Sequence, residues 1–215
     1  MNHDFEFGEF DELACMRVVQ LLCSTGVRQS LTVERVKQWV KQFQSPAEKT
    51  LARLILRNMI FRTTDQLMSS IRQALKQTTT HFVERQGNKG NVAWGDALKG
   101  GTGLNIFCGP PSLPSRGYVS PGKSGELVAR LINQRHRIDK CFPSEISVLK
   151  PDERFIVVDD GTYTGVQLCN FLSSWDIDFS TGRVAIAVSM AHQTATKTLK
   201  EQFPDVPIYF GELLT

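Results

Sequence analysis

Arg154-Phe-Ile-Val-Val-Asp-Asp-Gly-Thr-Tyr-Thr-Gly-Val-Gln-Leu-Cys-Asn-Phe-Leu172 is the stretch whose reading decides the fold. It opens on Phe155, Ile156, Val157 and Val158, an apolar, largely β-branched run of the kind that forms a strand buried on both faces. Asp159 and Asp160 follow where such a strand leaves its sheet. Gly161, Thr162, Tyr163, Thr164 and Gly165 then read as a short loop, and Val166, Leu168, Cys169 and Leu172 recur at helical spacing. Strand, acid pair, small loop and helix, in that order, put a ligand outside the carboxyl end of a parallel strand. The unpaired N–H groups and positive dipole end of the helix suit a phosphate, and the carboxylates can accept hydrogen bonds from sugar hydroxyls.

Outward from this stretch the α/β alternation continues in both directions. Leu104 to Cys108 reads as a strand, Glu126 to Asn133 as a helix burying Leu127, Val128, Leu131 and Ile132, and Ile146 to Val148 as a short strand. Val184 to Val188, a helix over 194–203 and a strand over Val206 to Phe210 complete a parallel sheet with helices on its faces. Residues 85–103, rich in Gly and Asn, have linker composition.

The first third of the chain is helical instead. Helices are expected over 10–25, from a Thr32 cap, from a Ser45-Pro46-Ala47-Glu48 capping box, and from Thr63-Thr64-Asp65 onward. They form a compact all-α module over residues 8–80, and the boundary falls near 84, giving regions 1–84 and 85–215. Trp39 and Phe43, one turn apart, read as core rather than as a stacking platform.

Composition narrows the function classes. The 215 residues are 41% apolar, enough for a packed core, and contain no run long enough for a membrane span. The acidic N-terminus lacks the basic start of a secretory signal. Five scattered cysteines without Cys-x-x-Cys spacing fit buried thiols in a reducing cytoplasm better than disulfides or a zinc site. The net charge of +3 is uneven: residues 28–89 carry twelve bases against four acids, whereas residues 1–27 carry five acids and one base. The turn between the third and fourth helices resembles a helix-turn-helix. Lys49, Arg53, Arg57 and Arg62 there could meet nucleic-acid phosphates.

The strand, acid pair and Thr164-Gly165 resemble the phosphoribosyl-pyrophosphate (PRPP) signature of type I phosphoribosyltransferases. The resemblance implies a phosphoribosyltransferase-like α/β domain using Mg²⁺. Asp159 and Asp160 would hold the ribose, directly or around the metal, and the stretch from Gly161 to Gly165 would cradle the 5′-phosphate. An earlier loop of that family binds pyrophosphate, and Lys123-Ser124-Gly125 is its counterpart here. Residues 117–124 also match the bare P-loop spacing, but Pro121 removes a donor from the cradle and no clear strand leads into Gly117. Purine-salvage members commonly carry an acid where this chain has Tyr163, which puts that mechanism in doubt. With a basic helical module in front, the whole chain resembles phosphoribosyltransferase effectors of bacterial anti-phage and conflict systems, some of them encoded beside retron reverse transcriptases. That implies PRPP or a related phosphorylated nucleotide as ligand and nucleic acid or a defence-complex protein as partner. The alternative is a non-catalytic subunit that senses a nucleotide or binds nucleic acid or protein with the same fold.

Overall fold

The computed structural model describes residues 12–28, 31–87, 93–111, 124–136 and 149–215. Lys123, the P-loop-like run ahead of Ser124 and the strand expected over Ile146 to Val148 lie outside these. The chain divides into two compact units, 1–65 and 66–215.

In the first unit, α1 (Glu12–Ser24), α2 (Val33–Lys41) and α3 (Pro46–Asn58) pack around Val19, Val36, Val40 and Leu56. Thr32 caps α2 by accepting from the Arg35 N–H, and Ser45 and Glu48 form the expected capping box on α3. Trp39 lies against this core and meets Phe43 edge-on at 5.0 Å. A device the sequence did not announce closes α3. Buried Arg28 donates to the carbonyls of Leu56, Arg57 and Met59, satisfying the orphan acceptors and the negative end of the dipole.

The second unit is built on a four-stranded parallel sheet in the order β1 (Asn105–Gly109), β2 (Glu153–Thr162), β3 (Val184–His192), β4 (Ile208–Leu214). Alternate residues of the apolar strands feed two separate cores. Ile106, Cys108, Ile156, Val158, Ala185 and Ala187 join α4 (Thr64–Arg85) and α6 (Ser124–His136). Phe107, Phe155, Val157, Val184, Ile186 and Val188 join α7 (Val166–Ser173), α8 (Gln193–Gln202) and Trp175.

Packing changes several expectations read from the sequence. The fourth helix does not complete a module over 8–80, because Met68, Ile71, Ala74, Leu75 and Phe82 of α4 are buried in the core of the sheet. The linker-like 85–103 stretch contains a short helix, α5 (Trp94–Leu98), which buries Ala97 and Leu98. In α6, Leu127 is half exposed and Ala129 takes the buried place. Among the described residues no helix is long and apolar enough to cross a membrane.

Candidate functional site

Consecutive strands β1 and β2 send their following helices to opposite faces of the sheet: α6 joins one core and α7 the other. Where neighbouring strands part company in this way, a crevice opens between their carboxyl ends. The acid pair stands at this point.

Asp159 is 4% exposed and Asp160 half-buried, and the Asp160 N–H donates to Asp159 Oδ1 at 2.9 Å. From across the crevice the first turn of α6 comes close. A Cβ added at Gly125 would lie 2.9 Å from Asp159 Oδ1 and 3.1 Å from Pro111, just past β1. Two of the three residues of the expected pyrophosphate loop, Ser124 and Gly125, therefore begin α6, and Gly125 lies directly against Asp159. Its bareness is what lets helix and carboxylate approach. Gly125→Ala is expected to displace the carboxylate and weaken ligand binding about tenfold, a cost of the size seen for overpacking. The melting temperature should move much less, and calorimetry with a melting curve checks both.

The loop is shorter than its composition implies. Gly161 and Thr162 continue β2, opposite Met190 and Ala191, so only Tyr163, Thr164 and Gly165 lie between strand and helix. The correction has a physical cause: β3 runs on far enough to pair them, and pairing overrides the loop character of Gly and Thr. The loop between strand and helix thereby narrows to residues 163–165, directly ahead of the first turn of α7. Gly165 caps α7 with φ +79°, and α7 has no side-chain cap bond. The Val166 N–H is 3.5 Å from Thr164 Oγ1, at the limit of a hydrogen bond. The first-turn donors of α7 thus have only that long contact from a capping side chain. Tyr163 is exposed, and a Cβ added at Gly161 would lie 3.7 Å from its ring, at ordinary contact distance.

A third helix end reaches the same edge. A Cβ on Gly165 would sit 3.2 Å from the Ala195 carbonyl in α8. His192, at the end of β3, caps α8 by accepting the Thr194 N–H at its Nδ1, 3.1 Å away. The N-termini of α6, α7 and α8 all lie at the carboxyl edge of the sheet, where their dipoles favour an anion. Cys169 in α7 stays a thiol, since burial pushes its pKa up.

The donor set fits magnesium of one kind. Among the described residues no cluster of three or more His, Cys, Asp or Glu side chains forms a protein cage. Two adjacent carboxylates beside an anion-favouring crevice suit an ion that keeps waters and shares ligands with a substrate's phosphates.

The expected nucleic-acid residues fare differently from one another. Arg53 is tied to Glu12 by an ion pair of 2.5 Å, and Arg62 Nη1 donates to the Phe61 carbonyl. Lys49 is partly buried, while Arg57 is exposed, as are Lys37 and Lys41.

A parallel sheet whose acid pair and helix N-termini meet at a crevice defines an α/β domain with an anion-favouring edge. The PRTase-CE family model matches residues 36–215, and the chain belongs to this family of phosphoribosyltransferase domains of conflict systems. The match starts within α2 and so takes in helices of the first unit as well as the whole second unit. No curated protein and no solved structure matches the chain.

Proposed function

We propose that this protein binds PRPP with Mg²⁺ and transfers or releases the phosphoribosyl group, as an effector of a bacterial anti-phage system. The observation that carries the reading is the close approach of Gly125, at the start of α6, to the carboxylate of Asp159. It supports reading the start of α6 and the acid pair as two parts of one sugar-diphosphate site. Asp159 and Asp160 hold the ribose hydroxyls and the metal. Thr164, Gly165 and the first turn of α7 receive the 5′-phosphate, and Ser124 with the start of α6 faces the pyrophosphate. Bound Mg²⁺ would offset the charge that gathers on pyrophosphate as it leaves. The protein's part is orientation and electrostatic stabilisation by fixed dipoles. With Tyr163 where an acid base would stand, proton abstraction from a purine acceptor is not assigned to that position. Isothermal calorimetry of PRPP with and without Mg²⁺ tests the reading; heat that ignores the metal, or no heat at all, rejects it.

A second reading gives the helical region nucleic acid as partner, within a retron-type or other defence complex. It is favoured by Lys37, Lys41 and Arg57, which are exposed and form no ion pair among the described residues. Reversing these three charges is expected to abolish a salt-sensitive mobility shift with single- or double-stranded oligonucleotides. Reversing Arg53 should instead lower stability through its lost partner Glu12. Retention of the shift in the triple variant would reject this reading.

A further inference from the structure

Ser189, in the middle of the carboxyl half of β3, is an oddity of the sheet. It is fully buried, and its hydroxyl has no hydrogen-bond partner. A buried hydroxyl without a partner is destabilising, so its retention calls for a reason.

The ladder says what lies beside it. Asp159 pairs with Val188 and Gly161 with Met190 in parallel register, which sets Asp160 opposite Ser189. On the other side, Val188 pairs with Phe210 and Met190 with Glu212, which sets Gly211 opposite Ser189. Ile156, Val158, Ala185 and Ala187 share one core, and residues two apart along a strand share a face. Asp160, Ser189 and Gly211 therefore form one row on the α4–α6 side of the sheet. Gly211 brings no side chain, and the backbone of Ser70 in α4 closes over it: an added Cβ would lie 2.6 Å from the Ser70 Cα and carbonyl carbon. One end of the row is sealed by main chain. The other end is the half-buried carboxylate of Asp160, which has no side-chain hydrogen bond among the described residues.

We propose that Ser189 is a positioning residue for Asp160, its hydroxyl donating to that carboxylate when the ribose and metal draw it into place. The proposal rests on the PRPP reading above. Ser189 touches neither ligand nor metal; it fixes the orientation of the group that does. A donor held in a sealed row has nowhere else to turn, so it adds a charge-assisted bond without competition from water.

The test sets stability against binding in the full chain. Ser189→Ala removes an unpaired buried hydroxyl, so the ligand-free protein should melt at the same temperature or slightly higher. The same variant should bind PRPP with Mg²⁺ about tenfold more weakly, the effect of one lost bond to a charged group. Ser189→Thr keeps the hydroxyl and the strand propensity, and should restore affinity to within about threefold of wild type. Binding by Ser189→Ala that equals wild type overturns the positioning role while leaving the PRPP reading intact. Equal weakening in the Ala and Thr variants, or weakening in step with a lowered melting temperature, overturns it in favour of a packing role. A wild-type protein that binds no PRPP overturns the underlying reading, and the role of Ser189 with it.

Discussion

Calorimetric titration of PRPP in the presence of Mg²⁺ is expected to lose its binding heat in Asp160→Asn, and equally in Asp159→Asn. The two variants change little but charge. Asn keeps the size of Asp and, at 159, an oxygen able to accept the Asp160 N–H now bound at 2.9 Å. The strand ladder through Asp159 and Gly161 is main-chain pairing and does not depend on either side chain. Melting temperatures should therefore stay within a few degrees of wild type. Affinity should fall on the order of a hundredfold or more, since each carboxylate loses charge-assisted bonds to the sugar and the ability to balance the metal. Without Mg²⁺ the wild type should resemble the variants, because pyrophosphate and two carboxylates then repel one another across the crevice. An Asp160→Asn protein that binds as tightly as wild type would remove the acid pair from the site altogether. A variant that loses both binding and fold would instead place the carboxylates in the structural core. The two carboxylates differ in burial, Asp159 at 4% exposed and Asp160 half-buried, so Asp159 is the one more exposed to this second outcome.

How far the sequence could be read depended on whether the information was local. The β2 strand was legible because Phe155 to Val158 is an unbroken β-branched and aromatic run, and the α3 start because Ser45 and Glu48 cap each other within one turn. The acid pair was legible for the same reason: it follows that apolar run directly, within the same strand. What escaped depended on partners distant in the chain. An amphipathic stripe on α4 states that something will cover it, not whether that is the other helices or the sheet, and it proved to be the sheet. Gly161 and Thr162 looked like loop until β3 was there to pair them. Gly125 was assigned to a loop because it follows Lys123-Ser124, whereas its observed role is close approach to Asp159. Arg28 and Ser189 carry no local signature at all, since a lone Arg in a polar turn and a lone Ser in a strand are ordinary until their neighbours are known.

Gly211→Ala is expected to be among the most destabilising single-methyl changes in the chain, although it lies outside the crevice. Gly211 sits in β4 with an ordinary strand backbone, so conformational freedom is not the reason for glycine there. The reason is α4. A Cβ at 211 would run into the Ser70 carbonyl oxygen and lie 2.6 Å from both the carbonyl carbon and Cα of Ser70. These are main-chain atoms of a 22-residue helix whose inner face is locked into the sheet's core, so no rotamer change relieves the clash. Either β4 or the helix must move. Overpacking of this kind costs about 1–3 kcal/mol and occasionally more, which in a chain of this size lowers the melting temperature by roughly 2–12 °C. Ser70→Ala or Ser70→Gly, combined with Gly211→Ala, should not rescue it, because the colliding atoms remain. Gly95→Ala provides the control: a Cβ there meets nothing within 4 Å in a helical position, and the change should be neutral or slightly stabilising. If Gly211→Ala melts like wild type, α4 does not press on β4 as described. The roof over Ser189 would then be open to water, and its hydroxyl would no longer be reserved for Asp160.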